Sequence, residues 1–188
     1  MFVLSILLAL QVSLNFDVES TAEKLRYAYK NDDYEAFTES FPTNFDDFLS
    51  LYGYVAHEGG RILYFEYDVH VRYLFSDRRI IDENKLDIVL QLSYGYKWDA
   101  DAPNYLQSES FRLAHDYPKR IADWLIKKTD KDIISFFRMC LVGLIPKYIT
   151  NDYNEYISIY SPISKRITAL LKTAYKLALE DSDKIVFE

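Results

Sequence analysis

Apolar residues recur every three or four positions along most of this chain, and this helical period limits its fold more than any other feature. The period is clearest near the C-terminus, where Ser161 and Pro162 suit a helix cap and a first helical turn. One face of that helix would bear Ile163, Ile167, Leu170, Leu171, Ala174, Leu177 and Ala178. No stretch alternates apolar and polar residues for long, which predicts almost no sheet. The sequence therefore predicts an all-α fold.

The length of the chain predicts one domain. A chain of 188 residues can bury roughly 70% of its extended surface in a single core. Five glycines and five prolines leave little room for long linkers. We expect residues 17–188 to form a single compact domain of about eight to ten helices with short connections.

The segment FPTNFDDFLSLYGY, residues 41–54, combines a helix start, an apolar stripe and a helix stop. Thr43 and Asp46 fit a capping pair, in which a hydroxyl and a carboxylate satisfy free amides. The stripe consists of Phe45, Phe48, Leu49 and Tyr52. Gly53 is predicted to end the helix in the left-handed conformation. A short helix with an aromatic face is expected here.

Three further helices are predicted from local signals. Ser20 or Thr21 is expected to cap a helix over residues 18–29, and Asp130 a strongly apolar helix. Residues 61–75 also show a helical period. Their shared face would consist of Ile62, Phe65, Val69 and Tyr73. We expect the helix over residues 61–75 to be largely buried.

The start of the chain resembles a targeting segment. Residues 1–16 contain no charged side chain, and residues 2–10 form an apolar run typical of a signal peptide. The run is too short for a membrane-spanning helix, which needs about 20 apolar residues. We predict export to the periplasm or cell envelope and no integral membrane span. The alternative is a buried first helix in a cytoplasmic protein.

Charge and aromatic content favour a protein partner. The formal net charge of −7 argues against a nucleic-acid partner, since phosphate binding needs clustered Lys and Arg. A basic protein remains compatible with this charge. The 17 tyrosines and 12 phenylalanines suit both a core and a contact surface. Cys140 is the only cysteine and lies in an apolar run, which predicts a buried structural thiol.

The three histidines are the main candidates for chemistry. His70 follows Glu66 by four residues, which would place both on one helix face and let the ring donate to the carboxylate. The pair supplies two metal ligands and no second His or Cys pair exists, so no metal site is predicted. The neighbouring Asp116 could orient His115 like a catalytic imidazole, although no G-x-S-x-G motif accompanies it. His57 is expected in an exposed loop. No catalytic residue and no cofactor is therefore assigned.

Two regions are candidates for partner binding. Tyr148, Tyr153, Tyr156 and Tyr160 recur at spacings of five, three and four residues, beside acidic side chains. Such a face, if exposed, has the composition of an interface for a cationic protein. The turn after residue 53 and the nearby histidine form the second region. The candidate partner-binding residues are Tyr54, His57, Glu58, His70, Tyr153, Tyr156 and Tyr160.

Asp99 and Asp101 in WDADAPN have the first spacing of a calcium loop. The glycine and the distal glutamate of such a loop are missing. Pro103 suits a first helical turn, and carboxylates just before it are favoured by the helix dipole. A turn and a helix start are therefore expected at this segment.

The segments FPTNFDDFLSLYGY, YDVHVRYLF and YKWDADAPNYLQ resemble a group of small, uncharacterised exported bacterial proteins. Members share an F-P-x-x-F-x-x-F-x-x-x-Y-G-Y segment, a histidine on the following helix and a W-D-A-D-A-x-N segment. The matching positions are Phe41, Pro42, Phe45, Phe48, Tyr52, Gly53, Tyr54, His70, Trp98, Asp99, Asp101 and Asn104. The resemblance covers roughly residues 30–107 and implies export and a helical fold, but no activity.

The leading functional hypothesis is a non-enzymatic exported binding protein, such as an immunity protein that neutralises a toxin by direct contact. The acidic charge, the tyrosine content and the signal-like start motivate it. One alternative is a small exported enzyme of the hydrolase type, using His70 or His115 with nearby carboxylates. A second alternative is a structural component of the envelope.

Overall fold

Helices make up most of the chain in the computed structural model, which describes residues 16–76 and 82–185. Within these residues it has ten α-helices: α1 (Val18–Lys30), α2 (Tyr34–Ser40), α3 (Phe45–Tyr52), α4 (Tyr67–Leu74), α5 (Glu83–Ser93), α6 (Ala102–Asp116), α7 (Pro118–Leu125), α8 (Asp130–Leu141), α9 (Pro146–Tyr160) and α10 (Lys165–Ser182). Between α3 and α4 lie a 3-10 helix (Tyr64–Glu66) and two antiparallel strands, β1 (Tyr54–Val55) and β2 (Gly59–Gly60). The predicted all-α fold is confirmed. The predicted signal peptide falls on residues 1–15, outside the described residues, and on Phe16.

Side-chain caps start several helices, but often at a neighbour of the predicted residue. The Asp17 carboxylate caps α1 by accepting from the Ser20 amide at 3.0 Å. The Asn44 side chain caps α3 by accepting from the Asp47 amide at 2.9 Å. The predictions of Ser20 or Thr21 and of Thr43 as caps are therefore wrong. A cap needs extended backbone three residues before the amide that it binds, and only a folded chain shows which polar residue has it.

Two later helices begin in the same way. Thr129 rather than Asp130 caps α8, in a reciprocal capping box with Asp132. Ser164 rather than Ser161 caps α10, and its hydroxyl accepts from the Ile167 amide at 3.3 Å. The predicted apolar stripe is present from Ile167 to Ala178, because it depends on spacing and not on the cap. Its predicted first member, Ile163, lies before α10 and is exposed.

Gly53 ends α3 without entering the left-handed region. Its φ of −70° and ψ of 164° are extended, so the predicted conformation is wrong. Glycine is needed there for a different reason. A Cβ atom at Gly53 would lie 2.6 Å from the Leu49 carbonyl oxygen. The chain therefore leaves α3 by a close backbone approach that other residues would obstruct.

The core of the C-terminal half is built mainly from α8 and α10, with α6 and α9 against them. Trp124, Phe136, Phe137 and Tyr160 are fully buried there. The ring centroids of Trp124 and Phe136 lie 5.6 Å apart, and those of Phe137 and Tyr160 lie 5.2 Å apart. Burial of each large apolar side chain contributes about 1.5–3 kcal/mol. Cys140 is buried in the same core, which raises the pKa of its thiol.

The N-terminal half has an aromatic core that is continuous with the core of the C-terminal half. Phe37 lies on α2 and Phe41 directly after it, and Phe45 and Phe48 lie on α3. All four are buried. The Phe45 and Phe48 rings stack with centroids 5.9 Å apart. Helix α5 packs against both α3 and α8, so it joins the two halves. One continuous core results, as expected for a single compact domain.

The predicted helix over residues 61–75 is wrong in its first half. Backbone bonds tie this region to α3, with the Arg61 amide donating to Gly53 and the Leu63 amide to Leu51, each at 2.9 Å. These bonds prevent a regular helix before Tyr67. Leu63 is buried in consequence, whereas Phe65 is 88% exposed.

Among the described residues, no helix has both the length and the apolar character needed to cross a bilayer.

Candidate functional site

Two distant segments meet at one surface of the molecule. The Tyr64 hydroxyl, in the 3-10 helix, donates to the Asp101 carboxylate just before α6 at 3.0 Å. About one turn further along each segment, the Tyr67 ring at the start of α4 and the Tyr105 ring in α6 meet edge to face, with centroids 4.9 Å apart. The W-D-A-D-A segment is therefore held against the segment that follows the YGY turn.

Five aromatic side chains cover this junction, and we call them the aromatic surface: Tyr54, Tyr64, Phe65, Tyr67 and Tyr105. Tyr54 and Phe65 are exposed, at 53% and 88%, and the other three are half-buried. The Tyr64 ring is central, with centroids 5.4 Å from Tyr54, 5.2 Å from Phe65 and 5.8 Å from Tyr67. The rings are therefore ordered against each other while the Phe65 ring remains open to solvent.

The strand pair below the surface fixes the central ring. Gly60 pairs with Tyr54 in the β1–β2 ladder. A Cβ atom on Gly60 would lie 2.5 Å from the Tyr64 Cβ atom, which no side chain tolerates. Gly59 has φ of +91°, in the region that glycine adopts freely. Gly60 thus leaves the space that Tyr64 occupies, and Gly59 supplies the backbone conformation of the turn.

Carboxylates outnumber cations beside the aromatic surface. Asp68, Asp99 and Asp101 form no ion pair within residues 16–76 and 82–185. The Arg72 guanidinium lies 5.5 Å from the Tyr105 ring centroid. Desolvation, followed by the nearby acidic groups, raises the pKa of Tyr64, which bonds to Asp101. The Tyr64 phenol is therefore a neutral hydrogen-bonding group in an acidic setting.

The predicted residues Tyr54, His57 and Glu58 lie at or beside this surface. Tyr54 is part of it, and His57 and Glu58 are exposed in the β1–β2 turn. His57 has φ of +74°, uncommon for a residue with a side chain. The Arg61 guanidinium donates to the Glu58 carboxylate at 3.2 Å. The structure thus brings these three predicted residues together.

His70 lies in the interior and not at the surface, with 1% of its area exposed. Its Nδ1 atom is 3.1 Å from the Tyr52 hydroxyl. The Tyr29 and Phe37 rings pack edge to face against it, with centroids 5.1 and 5.4 Å away. Burial lowers its pKa from 6.5 to about 4, because an imidazolium loses hydration there.

The predicted pairing of His70 with Glu66 is wrong. The Glu66 carboxylate accepts instead from the Arg26 Nε atom at 2.8 Å. Arg26 also donates to the Ile62 carbonyl at 2.7 Å. Glu66 therefore ties α1 to the segment below the aromatic surface, and His70 serves as a neutral core residue.

The tyrosines predicted on α9 mostly face inward. Tyr156 and Tyr160 are fully buried, and their hydroxyls donate to the Phe111 and Ala114 carbonyls of α6 at 3.1 and 2.8 Å. Tyr153 is half-buried and stacks on Tyr175 of α10, with centroids 4.1 Å apart. The structure does not bring Tyr156 or Tyr160 to a surface. Tyr148, the first tyrosine of the predicted face, is exposed. The spacing of the other three is the spacing with which α9 packs on α6 and α10.

His115 bridges two carboxylates at the end of α6. Its Nδ1 atom lies 3.0 Å from the Asp116 carboxylate, and its Nε2 atom 2.9 Å from the Glu155 carboxylate. The bond to Asp116 and then the bond to Glu155 raise the pKa of His115. In the described part of the chain, no Ser, Thr or Cys side chain hydrogen-bonds to this ring. His115 thus links the end of α6 to Glu155 on α9. The enzyme hypothesis stays a prediction.

Residues 16–76 and 82–185 contain no group of three or more His, Cys, Asp and Glu side chains arranged to hold a metal ion.

Sequence reasoning missed Tyr64, Phe65, Tyr67 and Tyr105. One signal was available in YFEY, where three aromatic rings occupy four consecutive positions after a Gly-Gly turn. In a helix, the first and last of these rings would share one face and the middle ring would point about 100° away from the first. The segment therefore favoured an outward position for Phe65.

No protein-family model matches this chain, and neither the curated proteins nor the solved structures include a significant match to it.

Proposed function

We propose that this chain is a non-enzymatic binding protein whose aromatic surface contacts a basic protein partner. The observation that supports this most is the 88% exposure of Phe65. A phenylalanine ring in water forgoes about 1.5–3 kcal/mol of burial free energy, which a partner would recover. Single exposed apolar residues are common, but this one lies among four tyrosines that pack against each other.

The composition of the aromatic surface is that of an interaction hot spot. Tyrosine gives a large contact area with few rotatable bonds, so little side-chain entropy is lost on binding. The bond from Tyr64 to Asp101 already fixes the central ring in the free protein. Such prior ordering lowers the cost of association.

The charges favour a cationic partner. Desolvation and then the neighbouring Tyr105 raise the pKa of Tyr67 most, and the charges of Asp101 and Asp68 raise it further. These two carboxylates are therefore near the tyrosines. A Lys or Arg side chain of the partner would meet both tyrosine faces and carboxylates. The net charge of −7 would also accelerate association with a basic protein at low salt.

In its most specific form, the proposal is an exported immunity protein that occupies a basic toxin. The signal-like residues 1–16 and the acidic charge support it. If a toxin-like gene lies beside the gene for this chain, the two purified products should form a stable complex. Failure of that pair to associate would end the immunity form of the proposal.

Site-specific photo-crosslinking in the native cell tests the surface itself. A benzoylphenylalanine at position 65 should yield an adduct with one basic protein. The matched control position is Tyr117, which is 43% exposed. It lies at the other end of α6 from Asp101, about 22 Å away along 15 residues. An adduct of equal yield from position 117, or none from position 65, would contradict the proposal.

A further inference from the structure

Trp98 lies between two hollows on a part of the molecule that shares no residue with the aromatic surface. The larger hollow has a volume of about 470 Å³ and is lined on its apolar side by Tyr96, Trp98, Val142 and Ile185. Small-molecule sites in proteins typically have volumes of about 300–1,000 Å³. The size therefore suits a small organic ligand.

The charged side of this hollow is basic. Lys97, Arg138 and Lys184 line it together with one carboxylate, Asp181, giving a local charge of +2 in a chain whose net charge is −7. The Arg138 Nε atom donates to Asp181 at 2.5 Å. Lys184 is 3.7 Å from the same carboxylate.

Donors remain for a ligand. Within the described ranges, the Lys97 ammonium and the two terminal nitrogens of Arg138 form no hydrogen bond to the protein. The Asp181 carboxylate holds the guanidinium by its Nε edge, which fixes its plane. A guanidinium in this arrangement is suited to a planar carboxylate.

The smaller hollow supplies an apolar extension. Its volume is about 240 Å³, and it shares Trp98 and Val142 with the larger one. Its further apolar lining comes from Leu141, Leu144, Ile145 and Ile149. Asn104, Gln107 and Asp152 also line the smaller hollow. The indole of Trp98 is therefore a wall common to a basic hollow and to one lined mainly by apolar side chains.

We propose that this pair of hollows binds a small organic carboxylate with an apolar body, such as an arylalkanoate. Its carboxylate accepts from Arg138 and Lys97, and its apolar body packs against Trp98 and Val142. Binding here is separate from the protein contact at the aromatic surface, so either function can fail while the other stands.

The test uses a matched pair of probes, 4-phenylbutyrate and its uncharged analogue 4-phenylbutyramide. Each is titrated into the ¹⁵N-labelled protein and followed by NMR at the Trp98 indole and the Val142 amide. The acid should bind about tenfold more tightly than the amide, because only the acid forms charge-assisted bonds. Equal affinities, or shifts confined to other residues, would overturn the proposal.

A matched pair of variants tests the cations. Lys97→Gln/Lys184→Gln removes two charges from the hollow, and Lys172→Gln/Lys176→Gln removes two exposed charges elsewhere on α10. The first variant should weaken binding of 4-phenylbutyrate about tenfold, and the second should leave it unchanged. All four lysines are exposed, so both variants should fold, and thermal unfolding checks this. Equal weakening in both variants would mean that the net charge of the protein, and not this hollow, determines binding, and it would contradict the site.

Discussion

The Tyr64 hydroxyl donates to the Asp101 carboxylate at 3.0 Å, which joins two segments that lie 37 residues apart. This bond holds the central ring of the aromatic surface against the start of α6. Its loss should therefore loosen the surface without opening the core, because Tyr64 and Asp101 are both only half-buried.

Replacing Tyr64 by Phe removes this hydroxyl and keeps the ring. The change should lower the free energy of unfolding by about 0.5–1.5 kcal/mol, the usual contribution of one such bond. Urea unfolding of Tyr64→Phe, Asp101→Ala and the double variant gives the coupling between the two residues. Fully additive effects of the two single changes would show that the bond contributes nothing.

Gly60→Ala should disturb the same ring from below. The new methyl group would meet the Tyr64 Cβ atom at 2.5 Å, so the ring or the strand pair must move. We expect a loss of about 1–3 kcal/mol in stability, as for other overpacked sites. Gly143→Ala is the control, because its methyl group meets no atom within 4 Å. If Gly60→Ala and Gly143→Ala unfold at the same urea concentration, the close contact is wrong.

The burial of His70 should make the folded protein less stable in acid. Burial lowers its pKa from 6.5 to about 4, so between these values the unfolded chain binds a proton that the folded chain does not. The stability that the neutral His70 ring contributes is fully present above pH 6.5 and is lost as the pH falls toward 4. The loss amounts to about 3 kcal/mol. Urea unfolding of His70→Gln should show a pH dependence smaller by that amount. An unchanged dependence would mean that His70 does not titrate as a buried group.

His115 predicts the opposite dependence. Its bonds to Asp116 and Glu155 raise its pKa, so its contribution is complete below pH 6.5 and is lost as the pH rises through the folded pKa. The effect on stability should stay below about 1 kcal/mol, because the pair is exposed. NMR titration should give a lower His115 pKa in Glu155→Gln than in the wild type. Glu180→Gln, which alters an exposed carboxylate on α10, should leave it unchanged.

The parts of the fold that local spacing determines were predictable. The stripe of α10 from Ile167 to Ala178 follows from a helical period alone, and Ile167 and Ala178 are buried as expected. The caps were displaced by one to four residues, because nearby Ser, Thr, Asn and Asp residues compete for one position. Backbone conformation at Asn44 and Ser164, and not residue type, decides that competition.

The candidate site depended on contacts that no local pattern contains. The helical period of residues 61–75 was genuine, but bonds from Arg61 and Leu63 to the end of α3 prevented the helix that it predicts. Phe65 therefore lies in solvent and not in the core. The bond between Tyr64 and Asp101 has no counterpart in the local sequence of either residue. Tyr54 was found because it follows a predicted helix stop.

The affinity of the purified partner for Phe65→Ala, measured by isothermal titration calorimetry, is the most direct test of the aromatic surface as a binding site. Loss of the Phe65 ring should weaken binding by at least about 2 kcal/mol, as at other hot spots, and should leave stability unchanged. Tyr117→Ala, at the far end of α6, should bind like the wild type. We expect a loss of about thirtyfold in affinity for Phe65→Ala alone. Equal affinities of Phe65→Ala and the wild type would contradict it.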